Sequence, residues 1–264
     1  MMTRPRSEAT LENLISALSP ERRALLKEIV EALSREVRAN INPRSDICSP
    51  AFALEFQDRL TFYHARHDEP LNKKTFEYAF VKASRVAGRT AVIDDSPVNP
   101  GTDVIVDGTS YSLKTEASQG ISRAHITISK LMEARWIREC RTGQDFIRGV
   151  KARVQEHLRQ YERILMLRAF TITDPSRGFE YHLIEIPLDV LLQIASLKAG
   201  DFSPRTSNGS SHADVYKNEK KLFSLRLDGS VEKITISNLN AANCIFHGSW
   251  KLFLKDVNPL SETV

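Results

Sequence analysis

Apolar residues recur at helical spacing through the first third of the chain and in short extended runs through the last. Ser7 to Ala17 and Ser19 to Asn40 read as helices, the second with Ser19 as N-cap and Pro20 at the first helical position. Leu25, Leu26, Ile29, Val30 and Leu33 form an apolar stripe suited to packing on the core or on a second subunit. Asn42-Pro43-Arg44-Ser45 breaks the pattern. Another helix is predicted over Ser49 to His67, ended by Asp68-Glu69-Pro70. Phe76 and Phe80 mark a further helical face around Glu77, closed by Gly88.

Later segments alternate between helix and strand. Ser129 to Cys140 and Gly143 to Arg159 read as helices separated by Arg141-Thr142-Gly143. Ile164 to Ile172 and Phe179 to Ile186 read as strands joined by a turn at Asp174-Pro175-Ser176-Arg177-Gly178. Pro187 starts a helix through Leu197, and 199–212 is a polar loop. Strands follow over Ala213 to Lys217, Leu222 to Leu227 and Val231 to Ile236, with Asp228-Gly229 as a hairpin turn, and a last one over Ile245 to Leu254. This order predicts an α/β fold: a mixed sheet with helices on both sides, a helical N-terminal region and a β-rich C-terminal region.

The most informative pattern lies at the centre. Asp107-Gly108 is a two-residue turn signal, because a type I′ turn needs positive φ at both positions. It pairs Val106 with Thr109, Ile105 with Ser110, Val104 with Tyr111 and Asp103 with Ser112. Strand side chains alternate between faces. Asp103, Ile105, Ser110, Ser112, Lys114 and Glu116 therefore share one face, and Val104, Val106, Thr109, Tyr111 and Leu113 the other. The second face belongs against a core. The first brings Asp103, Ser112 and Lys114 toward one small volume, on a face too polar for burial unless something uses it.

An acidic residue on one strand followed by a triplet ending in lysine on the next resembles the PD-(D/E)XK nuclease superfamily, especially type II restriction endonucleases. Asp103 takes the acidic position, Ser112-Leu113-Lys114 the triplet, and Pro100 lies slightly upstream of the family proline. The resemblance implies a restriction-endonuclease-like fold and Mg²⁺-dependent hydrolysis of double-stranded DNA by a homodimer matched to a twofold target. It implies that Asp103 bridges metal and scissile phosphate and that the Leu113 carbonyl is a further metal ligand. Lys114 would stabilise charge on the phosphate, or help deprotonate water if the site lowers its pKa. The metal would activate water and act as a Lewis acid. Ser112 stands where the family usually has Glu or Asp, and serine is a poor ligand for a hard cation. A subgroup with a Ser-x-Lys triplet relocates its glutamate to the following helix. Three carboxylates compete for that part: Glu133 after the hairpin, Glu116 on the polar strand face, and Glu77 on the preceding helix. The whole chain, 1–264, is expected to form a single nuclease domain, with 1–90 helical, 91–200 the catalytic core and 201–264 β-rich.

Charge distribution sharpens the partner. The net charge is only +4, but Lys114 to Arg168 holds twelve Lys and Arg against six Asp and Glu. Such an excess beside the hairpin suits phosphate contacts. Arg123, Lys130, Arg135, Arg205 and Asn208 are the candidate DNA contacts. Lys217, Lys220, Lys221, Arg226 and Lys233 suit either a DNA groove or protection of sheet edges. His64 and His67 lack a third metal ligand and read as surface histidines. Cys48, Cys140 and Cys244 are too scattered for a zinc site or a disulfide framework. With no apolar leader over Met1 to Arg6 and no 18-residue apolar run, a cytoplasmic protein is expected, away from membranes. No GxxxxGK[ST], GxSxG or GxGxxG motif is present, which counts against nucleotide hydrolysis, dinucleotide chemistry and serine acyl transfer, so no nucleotide cofactor is expected. The alternatives are a nicking endonuclease of the MutH mismatch-repair group, whose triplet also continues into Lys-Thr, and a DNA-binding protein with a decayed nuclease fold.

Overall fold

The computed structural model describes residues 10–94, 101–173 and 177–254. Pro100, Asp174-Pro175-Ser176 and the start of the first predicted helix lie outside these residues. The elements in chain order are α1 (Leu11–Ser16), α2 (Pro20–Leu33), β1 (Val37–Ile41), α3 (Pro50–His64), α4 (Lys73–Val86), β2 (Ala91–Ile93), β3 (Val104–Val106), β4 (Thr109–Glu116) and β5 (His125–Glu133). A 3-10 turn at Arg135–Glu139 leads into α5 (Gly143–Gly149), a π-helical turn (Val150–Val154) and α6 (Gln155–Leu158). Then come β6 (Arg163–Ile172), β7 (Gly178–Ile186), α7 (Leu188–Leu191), β8 (Ser211–Lys217), β9 (Lys220–Asp228), β10 (Lys233–Asn240) and β11 (Ile245–Phe253).

A seven-stranded mixed sheet runs β1-β11-β7-β6-β4-β3-β2, and a four-stranded sheet runs β5-β10-β9-β8. The central hairpin has the expected register: Val106 opposite Thr109, Ile105 opposite Ser110 and Val104 opposite Tyr111. Asp107 and Gly108 have φ of 50° and 85°, the left-handed pair a type I′ turn demands. β4 pairs β6 in parallel, a pairing that needs a long crossover. That crossover contains β5 and the helical run 143–158, and it forms the roof over the polar face of β4.

Strand parity divides the core into two. Tyr111, Leu113, Leu165, Leu167, Tyr181, Leu183 and Trp250 point toward α3 and α4, where Phe52, Phe56, Phe76 and Phe80 pack among themselves and against Trp250 and Tyr111. Ile164, Met166, Ile184 and Ile186 point the other way, against Phe146, Val150, Val154 and Leu158 and the inner face of the second sheet. Each fully buried side chain of this size contributes about 1.5–3 kcal/mol, so both faces of the central strands are committed except where polar residues interrupt them.

Five expectations are corrected. The helix from Ser19 stops at Leu33, and Val37–Ile41 is an edge strand paired with β11. In α2 only Ala32 is fully buried; Leu26 and Ile29 are half-buried while Leu25, Val30 and Leu33 are exposed, so the stripe packs on the core only along one edge. Residues 129–133 belong to β5 rather than to a helix, with only a 3-10 turn at 135–139. Asp228 pairs with Lys233, making a four-residue connection in which the Asp228 carboxylate accepts from the Ser230 and Val231 N–H groups. His64 is also buried rather than superficial: its Nε2 meets Tyr181 Oη and its Nδ1 the His67 carbonyl, both at 2.8 Å.

Candidate active site

Asp103 enters the hairpin just before β3, and its backbone N–H donates to the Tyr111 carbonyl, extending the ladder by one step. The approach is tight: a side chain at Gly101 would meet Gln160 Oε1 at 2.8 Å and the Tyr161 ring at 3.0 Å. Because β3 ends at Val106 and begins at Val104, β4 has an unpaired edge beyond Tyr111. The Asp103 carboxylate fills it. Oδ2 accepts from the Leu113 N–H at 2.6 Å and from Ser112 Oγ at 3.3 Å. Oδ1 accepts from Lys73 Nζ at 2.6 Å. Lys73 is the first residue of α4, and its Nζ also lies 3.6 Å from Glu77 one turn on.

Lys114 projects from β4 into a cleft of about 850 Å³. The walls are Lys73 and Asp103 on one side, Ser129 to Glu133 of β5 on another, and Arg153, Glu156, His157 and Gln160 from the helical run. Burial lowers the Lys114 pKa to about 8; Asp103 and Glu77 oppose this, while Lys73 and Lys130 reinforce it. His157 Nε2 lies 3.1 Å from the Leu131 carbonyl, and burial, then Lys114, lowers its pKa. A charged amine in a partly desolvated cleft beside a carboxylate is an arrangement that attracts an anion and steadies charge developing on it.

The structure therefore brings Asp103, Ser112, the Leu113 backbone, Lys114 and Glu77 to one place, withdraws Glu116 from it, and leaves Glu133 on the cleft wall. Glu116 is closed off: Oε1 accepts from the Thr127 N–H at 2.8 Å and Oε2 from Arg168 Nε at 2.6 Å. Glu133 stands at the end of β5, not on a helix, with its side chain 66% exposed and paired to Lys130 at 2.8 Å. Of the candidate DNA contacts, Lys130 lines the cleft. Arg123 is held by Glu180 and lies 4.4 Å over the Phe170 ring. Arg135 faces Glu232. Arg205 and Asn208 bond within their own loop, to the Thr206 carbonyl and hydroxyl respectively. Sequence reasoning did not single out Lys73, Arg153, Glu156, His157 or Gln160. The last four follow i, i+3, i+4, i+7 spacing, a polar stripe beside the apolar Val150, Val154 and Leu158 that carried the signal.

The donor chemistry fits a hard divalent cation. Asp103 and Glu77 offer carboxylate oxygens within reach of one cationic centre. No cluster of three His, Cys, Asp or Glu is present among the described residues. A divalent cation can be held by one or two carboxylates, with waters and substrate phosphate completing its shell, rather than by an all-protein cage.

A family model described as SmaI, type II site-specific deoxyribonuclease, matches residues 11–252. The chain is 36% identical over 218 residues to the type II restriction enzyme SmaI of Serratia marcescens, covering 79% of this chain and 83% of that protein. No solved structure matches.

Proposed function

The chain belongs to the SmaI family of type II site-specific deoxyribonucleases, and from that premise we propose that it cuts double-stranded DNA at the cleft over Asp103 and Lys114, as a variant PD-(D/E)XK site. The observation that carries this reading is the split use of the Asp103 carboxylate: one oxygen fixed to β4 through Leu113 and Ser112, the other turned to a cationic centre beside Lys114.

Ser112 then has a defined part. It stands in the position of the triplet acid and is fully buried, and its hydroxyl helps orient Asp103. Glu77 supplies the carboxylate that the triplet lacks, reaching in from α4. A residue's N–H and C=O point to the same side of a strand, so the Leu113 carbonyl faces the Asp103 side and is the third oxygen. Asp103, Glu77 and the Leu113 carbonyl would hold Mg²⁺, which when bound lowers the pKa of water and acts as a Lewis acid on the phosphate. Lys114, its pKa lowered by burial to about 8, contributes positive charge toward the scissile phosphate. Arg153 and Lys130, on opposite walls, contact the DNA backbone on either side and supply affinity without sequence information.

We further read the whole chain as one nuclease unit, because both sheets and the helical run contribute walls to a single cleft. A homodimer would present two clefts to the two strands, and the exposed Leu25, Val30 and Leu33 of α2 are available for such an interface. A cytoplasmic site of action follows from its substrate; no described helix is long and apolar enough to cross a membrane. Incubation with plasmid and Mg²⁺ is expected to give discrete double-strand fragments, and Asp103→Asn to give none. Accumulating nicked circles would favour a nicking enzyme, and binding without any cleavage a decayed nuclease; either result sinks this reading.

A further inference from the structure

Asp103 divides its two oxygens between the fold and the cleft. With Oδ2 committed to Leu113 and Ser112, Oδ1 is the oxygen left for a metal, and Lys73 Nζ sits on it at 2.6 Å. The same ammonium lies 3.6 Å from Glu77 Oε1. Lys73 and Glu77 are an i, i+4 pair on α4, so the helix itself delivers a cation between the two carboxylates. The geometry points to Lys73 as a resident counter-ion in the seat of the divalent metal, expelled when the metal binds. This inference rests on the metal reading given above.

Mg²⁺ approaches carboxylate oxygens to about 2.0–2.1 Å. An ammonium hydrogen-bonded to the same Oδ1 would then share one oxygen with a doubly charged ion, and charges so close repel strongly even in partly solvated surroundings. One of the two cations has to leave. Lysine is suited to leaving, because its ammonium is readily hydrated and its four-carbon stem is flexible; the Lys73 side chain is 44% exposed. The carboxylates are not free to move apart in the same way. Asp103 is anchored by β4, and Glu77 is largely covered. Lys114 also faces both carboxylates, but Lys73 is the cation bonded to Asp103 and within 3.6 Å of Glu77, so it helps keep the ligand pair assembled in the metal-free enzyme at the expense of metal affinity. After displacement the ammonium stays at the rim of the cleft it already lines, where a DNA phosphate is the nearest class of anion.

The test is Ca²⁺ binding to the full-length, DNA-free protein, followed by calorimetric titration and by thermal melting. Lys73→Met is expected to bind Ca²⁺ about tenfold more tightly than wild type, since one competing charge is gone. The same variant should melt at a lower temperature without metal and gain more from Ca²⁺. Lys73→Arg, which keeps the charge, should stay near the wild-type affinity. Asp103→Asn should abolish binding in the wild-type and Lys73→Met backgrounds alike. Binding that needs Asp103 but is equal or weaker in Lys73→Met overturns the inference and leaves the metal site standing. Absence of Ca²⁺ binding in every variant overturns both.

Discussion

Lys114 and Glu116 are two residues apart on the same face of β4, yet the fold treats them in opposite ways. Glu116 lies under the crossover and has every oxygen spoken for. It takes the Thr127 N–H and Arg168, whose remaining nitrogens donate to the carbonyls of Ser122, Arg123 and His125. Lys114 is also largely buried, but it opens onto the cleft with its proton affinity lowered. A polar strand face is thus two things at once here: a sealed ion pair that fastens the crossover to the sheet, and a site whose charges face a space for substrate. Satisfaction of hydrogen bonds, rather than polarity, separates them.

Removing each charge should expose that difference. Lys114→Ala takes away a group expected to stabilise the transition state, and cleavage of a specific duplex should fall by about 10²–10³-fold or more. Its melting temperature should hold or rise, because a poorly solvated charge is lost. Near-normal cutting by this variant would remove Lys114 from the site. Arg168→Ala should do the reverse. It leaves Glu116 buried without its counter-charge, costing about 3–5 kcal/mol in urea unfolding, while turnover per folded molecule stays close to wild type. A double change of Glu116 and Arg168 to apolar residues should recover much of that loss. If Arg168→Ala instead abolished cleavage with its stability intact, the division between the two pairs would collapse.

The hairpin was legible in the sequence because its determinants are local: a two-residue turn fixes the register, and parity then assigns the faces. What surrounds it was not, and β5 shows why. Ile126 and Ile128 alternate as a strand should, but the next buried residue is Leu131. The ladder slips there: Ile236 faces Ile128 while Ile234 faces Met132. That irregularity converts period-two spacing into an i, i+3 interval that reads as helix. It also moves Glu133 from a helix to a strand end. β1 escaped detection for a different reason, since its pairing with β11 is more than 200 residues away in sequence. Of the proposed site, the placing of Asp103 and Lys114 on one face of the hairpin could be read from spacing. The choice among Glu77, Glu116 and Glu133 could not, because it depends on which carboxylate a distant arginine or a crossover has already claimed.

The next effect is smaller. Glu77→Gln preserves the shape of α4 but removes a carboxylate that the metal is proposed to use, and cleavage at limiting Mg²⁺ should fall about 10–100-fold, partly recovered at high Mg²⁺. An Mg²⁺ titration of initial rates distinguishes this from a general defect. Acid should act elsewhere, on the α3 layer. His64 has its pKa lowered from 6.5 by burial, and its Nε2 meets the Tyr181 hydroxyl. The unfolded chain therefore binds more protons there, so the stability associated with neutral His64 is present above pH 6.5 and declines as pH falls below it. His64→Gln should flatten that slope in denaturant unfolding measured between pH 7 and pH 5, and an unchanged slope would assign the effect to other histidines.

Glu133→Gln is the smallest change and the sharpest control on the comparison. Like Glu77, Glu133 stands beside a lysine and has an ion pair on its own element, and Glu133 lines the cleft. The two differ in what the lysine does next. Lys130 pairs with Glu133, in an exposed i, i+3 pair that solvent screens. Lys73 reaches on to Asp103 and ties Glu77 to the hairpin. If proximity to the cleft were sufficient, Glu133→Gln would weaken cleavage as much as Glu77→Gln. If connection to Asp103 is what matters, Glu133→Gln should leave both the Mg²⁺ dependence and the melting temperature within error of wild type. Rates of the two variants measured side by side across the same Mg²⁺ series decide it, and a Glu133 defect equal to that of Glu77 would move the missing carboxylate to β5.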